Sequence, residues 1–217
     1  MAAHILVSLN SKPRMKLFIT GIGTEIGKTV CSAILVQYFK ADYWKPVQSG
    51  DLHFTDSNKI ENWTDQTFCH PETYRLQLAA SPHQSARAEN IQISLDDFQL
   101  PETQNNLIVE GAGGLMVPLS DNTFMIDLIE KFKLPTALVV RNYLGCINHT
   151  LLSVMALQQR NIKLEYLILN GDFPEDTERV ILNFITKETK IIKIPEIKSS
   201  DKEHITATAK QLTITKL

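Results

Sequence analysis

From residue 16 onward the chain alternates short apolar runs with longer segments in which apolar residues recur every three or four positions. The short runs predict strands at residues 17–20, 43–46, 107–110, 136–141, 166–170 and 190–194. The longer segments predict helices at residues 28–40, 126–131, 147–160, 174–186 and 203–212. Leu107-Ile108-Val109 and Ala137-Leu138-Val139-Val140 are apolar at every position, as expected of strands covered on both faces. This alternation predicts an α/β fold: one domain with a mostly parallel sheet and helices on both of its faces. Right-handed crossovers would bring every strand's carboxyl end to one edge, where open α/β sheets bind ligands. Residues 50–101 break the pattern with polar residues, Pro71, Pro82 and several aspartates. Only helical fragments and ligand-covering loops are expected there.

A chain of 217 residues, 43% of them hydrophobic, can bury one such core. The formal net charge of -2 arises from mixed acids and bases without a basic block. That balance points away from nucleic acid and membrane surfaces and toward a small-molecule ligand. Cys31, Cys69 and Cys146 are far apart and form no C-x-x-C pair, so neither a disulfide framework nor a zinc site is expected, and the compartment reads as reducing and cytoplasmic. No apolar run reaches the roughly 18 residues that span a bilayer. Residues 1–15 carry no basic residue ahead of their apolar run and no small-residue cleavage signal after it. They read as an N-terminal extension, expected to be poorly ordered, ahead of a domain at residues 16–217.

Four runs carry chemistry. The first, Thr20-Gly21-Ile22-Gly23-Thr24-Glu25-Ile26-Gly27-Lys28-Thr29, lies between a strand and a helix that continues through Val30. It has the form of a phosphate-binding loop, in which backbone N–H groups cradle phosphate, a lysine adds positive charge and a threonine hydroxyl can ligate Mg²⁺. The usual spacing would put a glycine at position 22, where Ile22 stands between Gly21 and Gly23. The second, Lys45-Pro46-Val47-Gln48-Ser49-Gly50, follows a strand and so emerges on the same edge, with Pro46 favouring an extended backbone at Lys45. In the third, Leu107-Ile108-Val109-Glu110-Gly111-Ala112-Gly113-Gly114, an apolar strand ends in an acid where a Mg²⁺-binding carboxylate would sit. In the fourth, Leu144-Gly145-Cys146-Ile147-Asn148-His149-Thr150, a helix start offers free N–H groups to an anion; Gly145 and Asn148 equally suit a plain turn and helix cap.

In this order the four runs resemble the ATP-dependent dethiobiotin synthetase family, whose phosphate loop has the form T-G-T-D-T-E-V-G-K-T. The chain keeps Gly21, Thr24, Glu25, Gly27, Lys28 and Thr29 of that loop and has Ile22 and Gly23 in place of Thr and Asp. The resemblance covers the chain from Met15 and implies a ligase that uses ATP and Mg²⁺. It would join CO₂ to 7,8-diaminopelargonic acid, phosphorylate the carbamate and close a cyclic urea.

By similarity Lys45 is the catalytic residue, with Lys28 on the β- and γ-phosphates. Thr24, Glu25, Ile26, Gly27, Thr29 and Val30 would surround the nucleotide, together with Glu110, Gly111, Ala112 and Gly113. Thr29, Glu110 and an aspartate would hold Mg²⁺; Asp56 suits its distance to Ser81-Pro82-His83 best, and Asp65 competes. Asn170, Gly171, Pro195, Glu196 and Ile197 correspond to the adenine contacts, although the family commonly has a polar residue where Gly171 stands. Thr24, Lys45 and Ser49 would meet the substrate. Gly145, Cys146, Ile147 and Asn148 would receive its carboxylate across a homodimer interface.

Two other phosphate-loop classes share the fold. A cobyrinic-acid amidotransferase-like ATPase would leave Lys45 to Gly50 unexplained. A partitioning-type ATPase switch typically has another lysine near the loop start, which Thr20-Gly21-Ile22 lacks.

Overall fold

The computed structural model describes residues 14–217. Residues 1–13, most of the segment read as an extension, lie outside the described residues. Met15 already joins the domain: its N–H donates to Asn106 Oδ1 at 3.0 Å and its carbonyl accepts from Leu107 N at 2.9 Å.

The long elements follow the hydrophobic pattern. β1 (Lys16–Gly21) leads into α1 (Lys28–Phe39) and β2 (Ala41–Trp44). After the irregular segment come β6 (Asn106–Gly114), α4 (Met125–Phe132), β7 (Thr136–Arg141), α5 (Cys146–Gln159), β8 (Leu164–Asn170), α6 (Glu175–Phe184), β9 (Lys190–Ile194), α7 (Lys202–Gln211) and β10 (Ile214–Lys216). Within the segment lie β3 (Val47–Ser49), α2 (Asp56–Trp63), β4 (Cys69–His70), β5 (Tyr74–Leu76) and α3 (Pro82–Ala88). Each helical fragment there has its own start signal. Thr55 caps α2 in a reciprocal box with Asn58, and Pro82 occupies the first turn of α3.

The sheet has eight strands in the order β10-β9-β8-β7-β1-β6-β2-β4, and every pair is parallel except β10 with β9. β3 and β5 form a separate parallel pair. Successive residues of the central strands bury into opposite layers, which is why their sequence is apolar throughout. Leu17, Ile19, Tyr43 and Ile108 join Ile34 of α1, Ile60 of α2 and Ile205 of α7 in one cluster. Phe18, Trp44, Leu107 and Val109 join Leu128 and Ile129 of α4 in another. The fold is thus the expected one: a single α/β domain with a mostly parallel sheet covered on both faces. Among the described residues no helix is long and apolar enough to cross a membrane.

Candidate active site

At the carboxyl edge of β1, β2 and β6 lies a cavity of about 760 Å³. The turn after β1, the helix start it feeds, the run after β2 and the end of β6 all open onto it. Thr24, Glu25, Gly27, Lys28, Thr29, Val30, Lys45, Ser49, Asp56, Glu110, Ala112 and Gly113 line it, so three of the four chemical runs share one chamber.

The phosphate loop is held by its apolar members. Ile26 is buried and Ile22 nearly so, and Ile22 N–H donates to Val139 O at 3.1 Å. Gly27 has φ 85°, in the left-handed region, and a Cβ there would stand 2.3 Å from Asn170 Nδ2. Only glycine suits both constraints. Asn170 is itself buried and donates Nδ2–H to Ile26 O at 2.8 Å, fastening the loop to the end of β8. Lys28 turns back along the loop, with Nζ 2.7 Å from Gly23 O. Burial pushes its ammonium down to about 8, although Glu110 partly opposes that effect.

Lys45, Asp56 and Glu110 form the polar centre. Lys45 Nζ is 2.7 Å from Asp56 Oδ2 and 3.1 Å from Glu110 Oε1, with both the lysine and the glutamate almost fully buried. Burial alone would lower the Lys45 pKa, but Glu110 and Asp56 outweigh it and hold the ammonium above the ordinary lysine range. Burial would likewise raise the Asp56 carboxyl, yet Lys45 and Lys59 keep it below the usual carboxylate range. Asp56 is aimed from two sides: the Thr55 cap makes it the first residue of α2, and its N–H donates to Gln48 Oε1 at 3.2 Å. Lys59, one turn on, reaches Asp56 Oδ1 at 2.9 Å. Thr29 Oγ1 donates to Glu110 Oε1 at 3.0 Å, and Tyr43 OH donates to Glu110 Oε2 at 3.0 Å. Burial, then the charge of Glu110, pushes the Tyr43 phenol well above its usual range. The Ser49 hydroxyl is buried and has no hydrogen-bond partner among the described residues.

The donor set of this centre suits Mg²⁺. Two carboxylates converge within reach of one cation, Lys45 Nζ, and a threonine hydroxyl lies on the same glutamate oxygen. No group of three or more His, Cys, Asp or Glu side chains gathers into a metal cage among the described residues. A small set of hard oxygens that leaves the other positions to water and phosphate is how Mg²⁺ is usually held.

Other expected residues lie elsewhere. Asp65 lies just beyond the C-terminal end of α2, where it accepts from Gln37 Nε2 at 3.0 Å and meets Lys202 Nζ at 2.7 Å. Ile26 and Gly111 stand behind the cavity wall, and a Cβ on Gly111 would press on Phe18 at 2.9 Å. Gly171 N–H donates to Ile194 O at 2.8 Å, and Glu196 Oε1 pairs with Arg141 Nη2 at 2.7 Å, so Asn170, Gly171, Pro195, Glu196 and Ile197 cluster at the ends of β8 and β9. Gly145, Cys146, Ile147 and Asn148 open α5 outside the cavity. Nearby runs a groove of about 370 Å³ lined by Thr24, Gly114, Val117, His149 and Leu152. Lys59 lines the cavity and Tyr43 backs Glu110 from outside it, although no motif names either, and Gln48 lies within the Lys45 run without an assigned role there. The i,i+3 spacing of Asp56 and Lys59 was the one signal in the sequence.

Comparison with known proteins identifies the family. The family described as AAA domain matches residues 15–204. The ATP-dependent dethiobiotin synthetase BioD of Cytophaga hutchinsonii is 46% identical over 200 residues, which is 91% of this chain and 96% of that protein. The enzyme of the same name from Christiangramia forsetii is 47% identical over 76% of this chain and 80% of its own length. That from Paramagnetospirillum magneticum is 40% identical over 77% and 82%. Likeness at this level along nearly the whole length, over a cavity built from the phosphate loop and the Lys45 run, places the chain in the family of ATP-dependent dethiobiotin synthetases.

Proposed function

We propose that the protein joins CO₂ to 7,8-diaminopelargonic acid and closes dethiobiotin, using ATP and Mg²⁺ and releasing ADP and phosphate. The observation that carries this reading is the position of Lys45. A buried ammonium stands between two carboxylates beside the phosphate loop, where a generic nucleotide site has no need of a second lysine.

In the proposed sequence one amine of the diamine attacks CO₂, forming a carbamate and releasing a proton. A carbamate oxygen then attacks the γ-phosphorus and ADP leaves, giving a carbamic-phosphoric anhydride. The second amine attacks the anhydride carbonyl, the bond from that carbon to the phosphate oxygen breaks, and phosphate and a proton depart as the cyclic urea closes. The central difficulty is the meeting of two anions, and fixed cations where charge develops address it. Lys28, released from Gly23 O, reaches the β- and γ-phosphates. Lys45 serves the carbamate and the transferring phosphoryl group. Thr29, Asp56 and Glu110 would hold Mg²⁺, which when bound neutralises charge on the phosphate oxygens. The Ser49 hydroxyl, unpartnered among the described residues, meets the substrate, and Thr24 lies near the diamine.

The nucleobase falls to Asn170, Gly171, Pro195, Glu196 and Ile197, which Asn170 links to the phosphate loop through Ile26. Gly145, Cys146, Ile147 and Asn148 receive the substrate carboxylate from a second copy of the chain in a homodimer. Two features support this: the turn lies off its own cavity, and Leu144, Met116, Leu152 and Met155 expose apolar surface around it. A cytoplasmic setting fits the free thiols of Cys31, Cys69 and Cys146.

The reading is tested with purified protein, ATP, Mg²⁺, bicarbonate and the diamine, following phosphate by coupled assay and dethiobiotin by mass spectrometry. Diamine-dependent release of both is expected. Phosphate release at the same rate without the diamine would overturn the proposal.

A further inference from the structure

Glu110 is held from behind by a residue that does not line the cavity. β2 runs parallel to β6 with Tyr43 opposite Ile108, and both side chains bury into the same layer. Glu110 follows Ile108 by one side-chain repeat and so points to that layer too, about 6.6 Å further along the strand. A phenol ring spans that offset. Tyr43 OH meets Glu110 Oε2 at 3.0 Å, with the tyrosine fully buried and the glutamate 1% exposed.

The two oxygens of Glu110 therefore have different surroundings. Oε1 takes Thr29 Oγ1 at 3.0 Å and Lys45 Nζ at 3.1 Å, on the side where the cavity lies. Oε2 takes the tyrosine hydroxyl. The terminal torsion of a glutamate is soft, so a carboxylate without such an anchor rotates readily between one-oxygen and two-oxygen presentation. Packing alone asks only for an aromatic ring at position 43, since phenylalanine would fill the same volume. What the hydroxyl adds is the hold on Oε2.

We propose that Tyr43 is a positioning residue which, by occupying Glu110 Oε2, presents Oε1 alone to the metal and so favours Mg²⁺ over Ca²⁺. The inference rests on the reading of Glu110 as a magnesium ligand. Its physical basis is the contrast between the ions: Mg²⁺ is small and strictly octahedral, whereas Ca²⁺ accepts six to eight oxygens and readily takes both from one carboxylate. Residues that orient a ligating side chain typically govern metal affinity by about 10–100-fold.

The test is calorimetric titration of Mg²⁺ and of Ca²⁺ into protein saturated with a non-hydrolysable ATP analogue, for the wild type, Tyr43→Phe and Glu110→Gln. Tyr43→Phe is expected to weaken Mg²⁺ by about 10–100-fold, to weaken Ca²⁺ less, and to leave analogue affinity without metal unchanged. In turnover, half-saturation by Mg²⁺ should rise while kcat at saturating Mg²⁺ stays close to the wild type. If Tyr43→Phe keeps the wild-type Mg²⁺ affinity and Mg²⁺-to-Ca²⁺ preference while Glu110→Gln loses binding, the role of Tyr43 is overturned and Glu110 remains a ligand. If Glu110→Gln also binds Mg²⁺ normally, the metal reading itself falls. Should Tyr43→Phe fold poorly, a crystal structure of the wild type with Mg²⁺ and the analogue decides. Glu110 Oε2 kept on Tyr43 OH and off the metal supports the proposal, and Oε2 on the metal overturns it.

Discussion

Lys45 Nζ stands 2.7 Å from Asp56 Oδ2, so an ammonium just past the end of β2 closes on the first residue of α2. Glu110 Oε1 completes the contact from the end of β6. Lys45→Ala is expected to lower kcat by about 10²–10³, the usual loss for a group aimed at developing charge, while ATP affinity changes little. Single-turnover phosphate release and equilibrium ATP binding check the two halves of this expectation. A parallel loss of ATP affinity would move Lys45 among the nucleotide contacts.

The two candidate aspartates are separated by a paired experiment. Asp56→Asn should shift the Mg²⁺ dependence of turnover upward by about tenfold or more, because Asp56 shares a cation with Glu110. Asp65→Asn should leave that dependence unchanged, since its partners are Gln37 and Lys202.

Gly27→Ala meets two obstacles, the left-handed backbone at φ 85° and a contact of 2.3 Å with Asn170 Nδ2. Strain of about 1–3 kcal/mol is expected, which is enough to reduce ATP affinity about tenfold. Fluorescence titration with a labelled nucleotide measures it.

These sites differ in how far the sequence discloses them. The long strands and helices were legible because each buries enough surface to stamp its period on the chain. β3, β4, β5 and β10 span only two or three residues each, too few for a period, and exist because neighbouring backbone is there to pair with. α2 and α3 were visible only as fragments, although the Thr55 and Asn58 box and Pro82 mark their starts. Lys45, Glu110 and the phosphate loop stand out through spacing. Tyr43 does not, because its partner Glu110 lies on another strand and only the β2–β6 register brings the two together.

The α7 cap gives a pH dependence of stability. Asp201 accepts from His204 N at 2.9 Å, and that bond, with the Ser199 and His204 side chains, holds its carboxyl below the usual range. A depressed carboxyl contributes stability above its unfolded value, about 3.9, and loses that contribution as the pH falls through the folded one. Asp201→Asn should therefore lower Tm at pH 5–7, and the gap from the wild type should close below about pH 4. Because α7 packs on α1, the helix that begins with Lys28 and Thr29, nucleotide should raise Tm in both proteins.

Assembly can be probed at the apolar face near α5. Leu152 and Met155 are each more than half exposed, and Leu152→Asp is expected to sediment as a single chain with reduced diamine turnover and retained ATP affinity. Asn148→Ala should raise the KM for the diamine by about tenfold, the scale for losing a hydrogen bond to a charged group, without altering assembly. An unchanged KM would mean that the carboxylate is bound elsewhere.

The ends of the sheet bear on the same question. β4 has two residues and β10 only three, the latter turned antiparallel and carrying Lys216. Short, charged margins are poor templates for strand addition between molecules. In the proposed homodimer a second copy would therefore land on helical surface, and a patch that meets its own equivalent closes on itself as a pair instead of growing into a fibre.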